Sequence, residues 1–258
     1  MRKPNLRQMV VILALLAMLT VNGLANALPL NGQTTGAVSD RFEVYFVPAG
    51  YVFSIWGVIY LALILFAIYQ ALPGQRDNPR LEQMGYLFAL SCLANIAWLF
   101  LWHYERFVWT LVAMGSLLLL LIALYLRLDI GHSRPSTAEK WFVQIPFSLY
   151  LGWITVATIA NVTSVLDYLN WDGWGITPEA WTVIMLGAAT VIATAVGFTR
   201  HDTAYLLVLI WAFVGIGVKH AGVPIVATAA WIAAALVALV LIANVVQQRR
   251  SRPAMSFG

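Results

Sequence analysis

The chain is 258 residues long, 61% hydrophobic and 10% charged, where an ordinary soluble domain carries about 25% charged residues. That contrast excludes a soluble globular domain and points to an integral membrane protein. A net charge of +4 would suggest nucleic acid in a soluble protein, but here the basic residues sort by side of the membrane, so no nucleic-acid partner is expected. The lone cysteine, Cys92, excludes an internal disulfide, a Cys-based zinc site and an iron–sulfur cluster.

A helix crossing a ~30 Å hydrocarbon core needs about 20 apolar residues. Runs of roughly that length lie at about 9–28, 50–71, 84–103, 107–126, 141–162, 180–198, 203–219 and 223–246. The fold class is therefore all-α, a polytopic membrane bundle of about eight spans. The first run, with Ala25-Asn26-Ala27 at its end, is expected to stay as a span; the alternative is a signal peptide cleaved before Leu28. Helix starts are marked by Asn78-Pro79, by Ser136 with Glu139 as a capping box, and by Thr177-Pro178-Glu179. The external stretch 163–180 holds Asp167, Tyr168, Trp171, Asp172 and Trp174 but no Lys or Arg, and it divides five spans from three.

With the N-terminus inside, twelve basic residues fall on one side (Arg2, Lys3, Arg7, Arg76, Arg80, Arg127, Arg134, Lys140, Arg200, Arg249, Arg250, Arg252) and three on the other (Arg41, Arg106, Lys219). The loops are short enough for the positive-inside rule, which predicts a multi-pass protein of the plasma or inner membrane with both termini cytoplasmic.

No Asp or Glu sits mid-span, which argues against proton-coupled transport. No Ser-His-Asp set, phosphate loop or metal-ligand spacing is readable, so no enzyme is expected. The spans instead carry amides and aromatics at helical spacing: Phe53, Trp56 and Tyr60 on the second, Asn95, Trp98 and Trp102 on the third, Tyr150, Trp153 and Asn161 on the fifth. A single buried Asn is most often helix–helix glue. Three stripes together suggest a pocket for a flat, apolar ligand with a few polar groups.

These stripes sit in three longer elements: Pro48-Ala49-Gly50-Tyr51-Val52-Phe53-Ser54 followed by Trp56 and Tyr60; Asn95-Ile96-Ala97-Trp98 followed by Trp102; and Leu149-Tyr150-Leu151-Gly152-Trp153 with Asn161 eight residues on. In this order they resemble the TspO/MBR family of tryptophan-rich sensory proteins, over about residues 9–163. Departures are Tyr51 for the family's Trp, Ser54 for its Pro, Trp56 one residue early, and Pro146 in place of a Pro at 149. No Lys or Arg follows Tyr168 in its loop, so sterol recognition is not implied.

The resemblance implies a five-helix TspO-like bundle over 1–165, with 166–258 an additional three-helix region. It also implies a hydrophobic small-molecule ligand, of tetrapyrrole (haem or porphyrin) type, held between helices and sensed or translocated. The nine stripe residues would line its site, the lipid bilayer would surround it, and a homodimer is implied as a partner state. A small-solute permease and a porphyrin-degrading activity are the competing readings.

Overall fold

A computed structural model describes residues 5–28 and 30–250, with side chains through 247. Its helices are α1 (Leu6–Ala27), α2 (Thr35–Ser39), α3 (Ile55–Ala71), α4 (Pro79–His103), α5 (Phe107–Arg127), α6 (Thr137–Glu139), α7 (Ile145–Tyr168), α8 (Pro178–Arg200), α9 (Thr203–Lys219) and α10 (Pro224–Arg250). The protein is an all-α membrane bundle: among the described residues, seven helical segments are long and apolar enough to cross a bilayer, and α9 is an apolar helix just short of that length. At 1.5 Å per residue, the 17 residues of α9 span about 25 Å.

The sequence-marked starts hold. Asn78 accepts from the Arg80 amide, Ser136 and Glu139 form the capping box, and Thr177 accepts from the Ala180 amide. Two helices outrun their apolar runs. The α4 helix begins at the Asn78 cap rather than where the apolar residues begin. The α7 helix continues to Tyr168, with Thr163 and Ser164 returning their hydroxyls to the Ala160 carbonyl. A π turn over Lys140–Gln144 leads into α7 just before Pro146, whose missing N–H interrupts the regular ladder.

Contacts between loops follow the alternation of sides. At one end, Arg7 donates to the Gln75 and Asn78 carbonyls, Arg80 reaches Glu139, and Arg200 reaches Asp129. At the other, Asn31 donates to the His103 carbonyl and Arg41 pairs with Glu105. Arg2, Lys3 and Arg252 lie outside the described residues, as do the side chains of Arg249 and Arg250.

The α4 helix packs between α1 and α5, and α7 between α5 and α9, with α3 against α1 and α7. The α10 helix packs on α8 and α9. One buried apolar cluster runs from Val11 on α1 to Val240 on α10.

Candidate functional site

The stretch before α3 sets the site. Pro48 is buried, Gly50–Ser54 forms a 3₁₀ turn, and α3 follows directly. This turn is held by α9. The Ala49 amide donates to the Gly215 carbonyl (3.1 Å), Trp211 Nε1 donates to the Val52 carbonyl (3.0 Å), and His220 contacts the Val47 carbonyl. Gly215 permits the approach, because a Cβ there would lie 2.2 Å from Val52 Cγ2 and 3.0 Å from Pro48 Cβ.

Inward of this turn, two cavities share a wall. The inner one, about 80 Å³, lies among α3, α4, α5 and α7. Phe53 and Trp56 line it from α3's lead-in, Asn95, Trp98 and Trp102 from α4, and Trp153 and Asn161 from α7. The outer one, about 460 Å³, extends toward α1 and the segment that joins α1 to α3, with Tyr60 and Asn22 in its lining. Thr35, Ser39, Pro48, Phe53, Trp56 and Trp98 border both. Thus seven of the nine stripe residues surround the inner cavity and Tyr60 the outer one.

Tyr150 stands apart from its stripe. It is fully buried and lines neither cavity; it sits behind Trp56, edge-on at 6.0 Å between ring centroids. Helical spacing put it on the face of Trp153, but its hydroxyl turns to the amide network instead.

That network is directional. The Tyr60 hydroxyl donates to Asn22 Oδ1 (2.9 Å), Asn22 Nδ2 to Asn95 Oδ1 (2.8 Å), and Asn95 Nδ2 to the Tyr150 oxygen (3.1 Å). A second relay runs from Trp98 Nε1 to Asn161 Oδ1, and from Asn161 Nδ2 to Thr110 Oγ1 (2.8 Å). Asn95 and Asn161 therefore bind helices together as well as facing the cavity. The contrast is Trp153: its ring is buried, it lines the inner cavity, and its Nε1 has no hydrogen-bond partner. A buried donor left unmade costs ~1–3 kcal/mol, and a ligand acceptor would remove that cost.

The rings are ordered against one another. Trp56 stacks on Tyr60 at 5.2 Å and 28°, Trp98 on Trp102 at 5.5 Å and 19°, and Phe53 meets Trp153 edge-on at 5.7 Å. Above them the segment that joins α1 to α3 is pinned to α4: Thr35 Oγ1 meets His103 Nε2 (2.9 Å), His103 Nδ1 meets the Leu30 carbonyl (3.2 Å), and Trp102 Nε1 donates to the Thr35 carbonyl (3.2 Å). His103 is buried under this segment. Nearby, the hydrogen bond from Arg41 holds the Glu105 carboxyl below its ordinary range, and Glu105 holds the Arg41 guanidinium above its own.

The chain matches the TSPO-like protein family over residues 8–243. It belongs to that family. The match covers all of α3–α9 and most of α1 and α10, beyond the 9–163 stretch that carries the resemblance in sequence. No curated protein and no solved structure matches the chain significantly.

Sequence reading missed Asn22, Thr35 and Thr110, each of which completes a polar contact to a stripe residue. Asn22 lies in the run that also reads as a signal peptide, and its partner Asn95 is 73 residues away. It also placed Asp202 in a loop. The carboxylate is buried, accepting from the Tyr125 hydroxyl (2.9 Å), the Ser148 hydroxyl (2.6 Å) and the Tyr205 amide (3.1 Å). Asp202 ties α9 to α5 and α7 at the end far from the cavities.

Proposed function

We propose that this TSPO-like membrane protein binds a flat, largely apolar ligand of the tetrapyrrole class and reports its presence. The observation that carries the proposal is the buried, unpartnered indole N–H of Trp153, a residue that lines a cavity rich in aromatic rings. Such a donor suits a carbonyl or carboxylate at the edge of a planar molecule.

The sizes bear on how such a ligand would sit. Sites for molecules of this kind measure roughly 300–1,000 Å³; the outer cavity alone falls in that range at about 460 Å³, while the inner one does not. The body of the ligand would rest in the outer cavity, and swinging Phe53, Trp56 and Trp98 aside would admit one edge to Trp153. No His or Cys lines either cavity, so the grip would come from stacking and hydrogen bonds rather than from ligation of a central metal. Asn95, Asn161 and Tyr60 would hold the ring positions from behind, and Tyr150 would support Trp56 without touching the ligand.

Sensing fits better than translocation. Toward the other end of α3, α4 and α7, the fully buried rings of Phe66, Phe88 and Phe147 meet at 5.0–5.6 Å and close the way. A membrane location with both termini cytoplasmic, and a homodimer, belong to the same proposal.

The test is a titration of purified protein with protoporphyrin, read by tryptophan quenching. Saturable quenching is expected, weakened by Trp98→Ala. Trp153→Phe keeps a ring but removes the N–H, and should cost ~1–3 kcal/mol of affinity. Quenching that never saturates, or that both variants leave unchanged, overturns the proposal.

A further inference from the structure

A third cavity, separate from the two above, lies where the segment that joins α1 to α3 crosses the α7–α8 junction. Residues 43–46 form one wall, the end of α7 with the following loop a second, and the first turns of α8 a third. It measures about 150 Å³, near the size of a cavity that holds a benzene ring.

Its chemistry is one-sided. Tyr45, Trp171 and Trp181 supply aromatic surface, while Glu43, Asp167 and Asp172 supply carboxylates, and no Lys, Arg or His stands in the lining. Two basic groups of the neighbouring loops are committed elsewhere. Arg41 bonds to Glu105 and Lys219 pairs with Asp40. His220 packs edge-on against Tyr45, and burial holds its imidazole below the ordinary value, so it is neutral at pH 7.

An aromatic cluster at a span end could be no more than an interfacial belt, in which amphipathic rings sit at headgroup level. Here the loop is built around the rings. Trp181 Nε1 donates to the Gly173 carbonyl (2.9 Å), and Gly173 takes a left-handed φ of 66°. Asp172 accepts from the Trp174 amide (3.0 Å), and Trp171, Trp174 and Trp181 pack at 5.2–6.0 Å between centroids. The Trp181 N–H is thus consumed by backbone, and the ring contributes its apolar surface to the cavity. Indole faces with nearby carboxylates are what an alkylated cation requires, since the ring quadrupole attracts it and no competing cation is present.

We infer that this cavity binds an organic ammonium group, a quaternary or protonated amine seated against Trp171 and Trp181, with its charge met by Asp167 and Glu43. The same chemistry could come from a free amine or from the headgroup of a choline lipid in the adjoining leaflet.

Calorimetric titration of the full-length protein in detergent with choline, and with its uncharged isostere 3,3-dimethylbutan-1-ol at equal ionic strength, tests this. Saturable choline binding is expected, at least tenfold tighter than that of the alcohol. Asp167→Asn and Trp171→Ala should each weaken it at least tenfold, and Trp109→Ala, on an exposed face of α5, should not change it. Asp167→Asn alters one exposed side chain, so parent-like binding by that variant overturns the inference even if Trp171→Ala disturbs the loop. Absence of saturable binding, or equal binding of the two isosteres, overturns it as well. In nanodiscs, choline binding weakened by phosphatidylcholine relative to phosphatidylglycerol assigns the site to a lipid headgroup; equal binding in both assigns it to a free amine. The readout is independent of porphyrin quenching, so either proposal can fail alone.

Discussion

The helices α1–α7 and the helices α8–α10 are packed by different means. Among α1, α3, α4, α5 and α7, amides and indoles bridge the helices, and large rings hold them apart enough to leave cavities. Among α8, α9 and α10 the contacts are small: a Cβ on Gly197 would lie 2.5 Å from Val240 Cγ1, and one on Gly217 would lie 3.0 Å from the Trp231 ring. Ala189, Ala193, Ala212, Ala230, Ala233 and Ala234 are buried there. Close approach of small residues is the usual basis of helix association in lipid, where burial of apolar surface gives no drive. Bulky polar aromatics therefore mark where a bundle is hollow, and small residues where it is a support.

The two regions meet along α7 and α9 and at two loop seams, and substitutions at glycines of those loop seams can separate their roles. The largest effect is expected where the loop after α5 meets the end of α8. Gly131 has φ 91°, and a Cβ there would lie 2.1 Å from the Arg200 carbonyl oxygen and 2.7 Å from its Cα. Backbone cannot swing aside as a side chain can, so Gly131→Ala should destabilise by ~3 kcal/mol or more, from overpacking and left-handed strain together. Thermal unfolding in detergent reads this, and ligand quenching by the protein that remains folded should be unchanged.

At the seam between α9 and the Pro48–Ser54 turn, Gly215→Ala should cost ~1–3 kcal/mol and also weaken porphyrin quenching, because Val52 and Pro48 must move and Phe53 with them. A variant that loses stability but keeps full affinity would show that α9 does not position the site. Gly197→Ala lies within the three-helix region against the end of a Val side chain. It should cost less than Gly215→Ala and leave quenching untouched, which separates support from site.

Within the hollow region, Asn95→Ala removes the bonds to Asn22 and to Tyr150 together. Interhelical hydrogen bonds in membranes average ~0.6 kcal/mol and reach ~1.7 kcal/mol, and the loss should fall between these. The smallest effect belongs to the exposed Arg41–Glu105 pair, worth ~0.2–1 kcal/mol at most and screened by salt. Its sign is fixed by the Glu105 carboxyl being held low. The folded carboxyl stays ionised to lower pH than the unfolded one, so its stabilisation is present above the ordinary carboxylate value and is lost as pH falls below it. Melting temperatures taken down to pH 3.5 at low salt should fall more in the parent than in Glu105→Gln.

Much of the fold was legible in the chain. Apolar run length located every helix that crosses the bundle, because lipid forces each crossing segment to satisfy its own backbone and to be apolar throughout. Caps at Asn78, Ser136 and Thr177 fixed three starts, since they depend on residues only two or three positions apart. The stripe residues Trp98, Trp102, Trp153 and Asn161 were legible through helical periodicity, which puts them on a common face whatever the partner helix is.

What periodicity lacks is any knowledge of neighbours. It could not separate Tyr150, turned to Asn95 and Met18, from Trp153, left with an unpartnered N–H, although both lie on one stripe. Nor could it find Asn22, whose meaning depends on a helix 73 residues away, or Asp202, a loop residue by sequence and a buried acceptor between three helices in the fold. The sequence by itself determined where the long apolar helices lie, which loops share an end and which faces are rich in aromatics and amides, because each depends on local composition and a 3.6-residue repeat. Only the tertiary structure decided which polar atoms find partners, where space remains between the rings, and that α9 braces the Pro48–Ser54 turn from outside the site, because those depend on which surfaces meet.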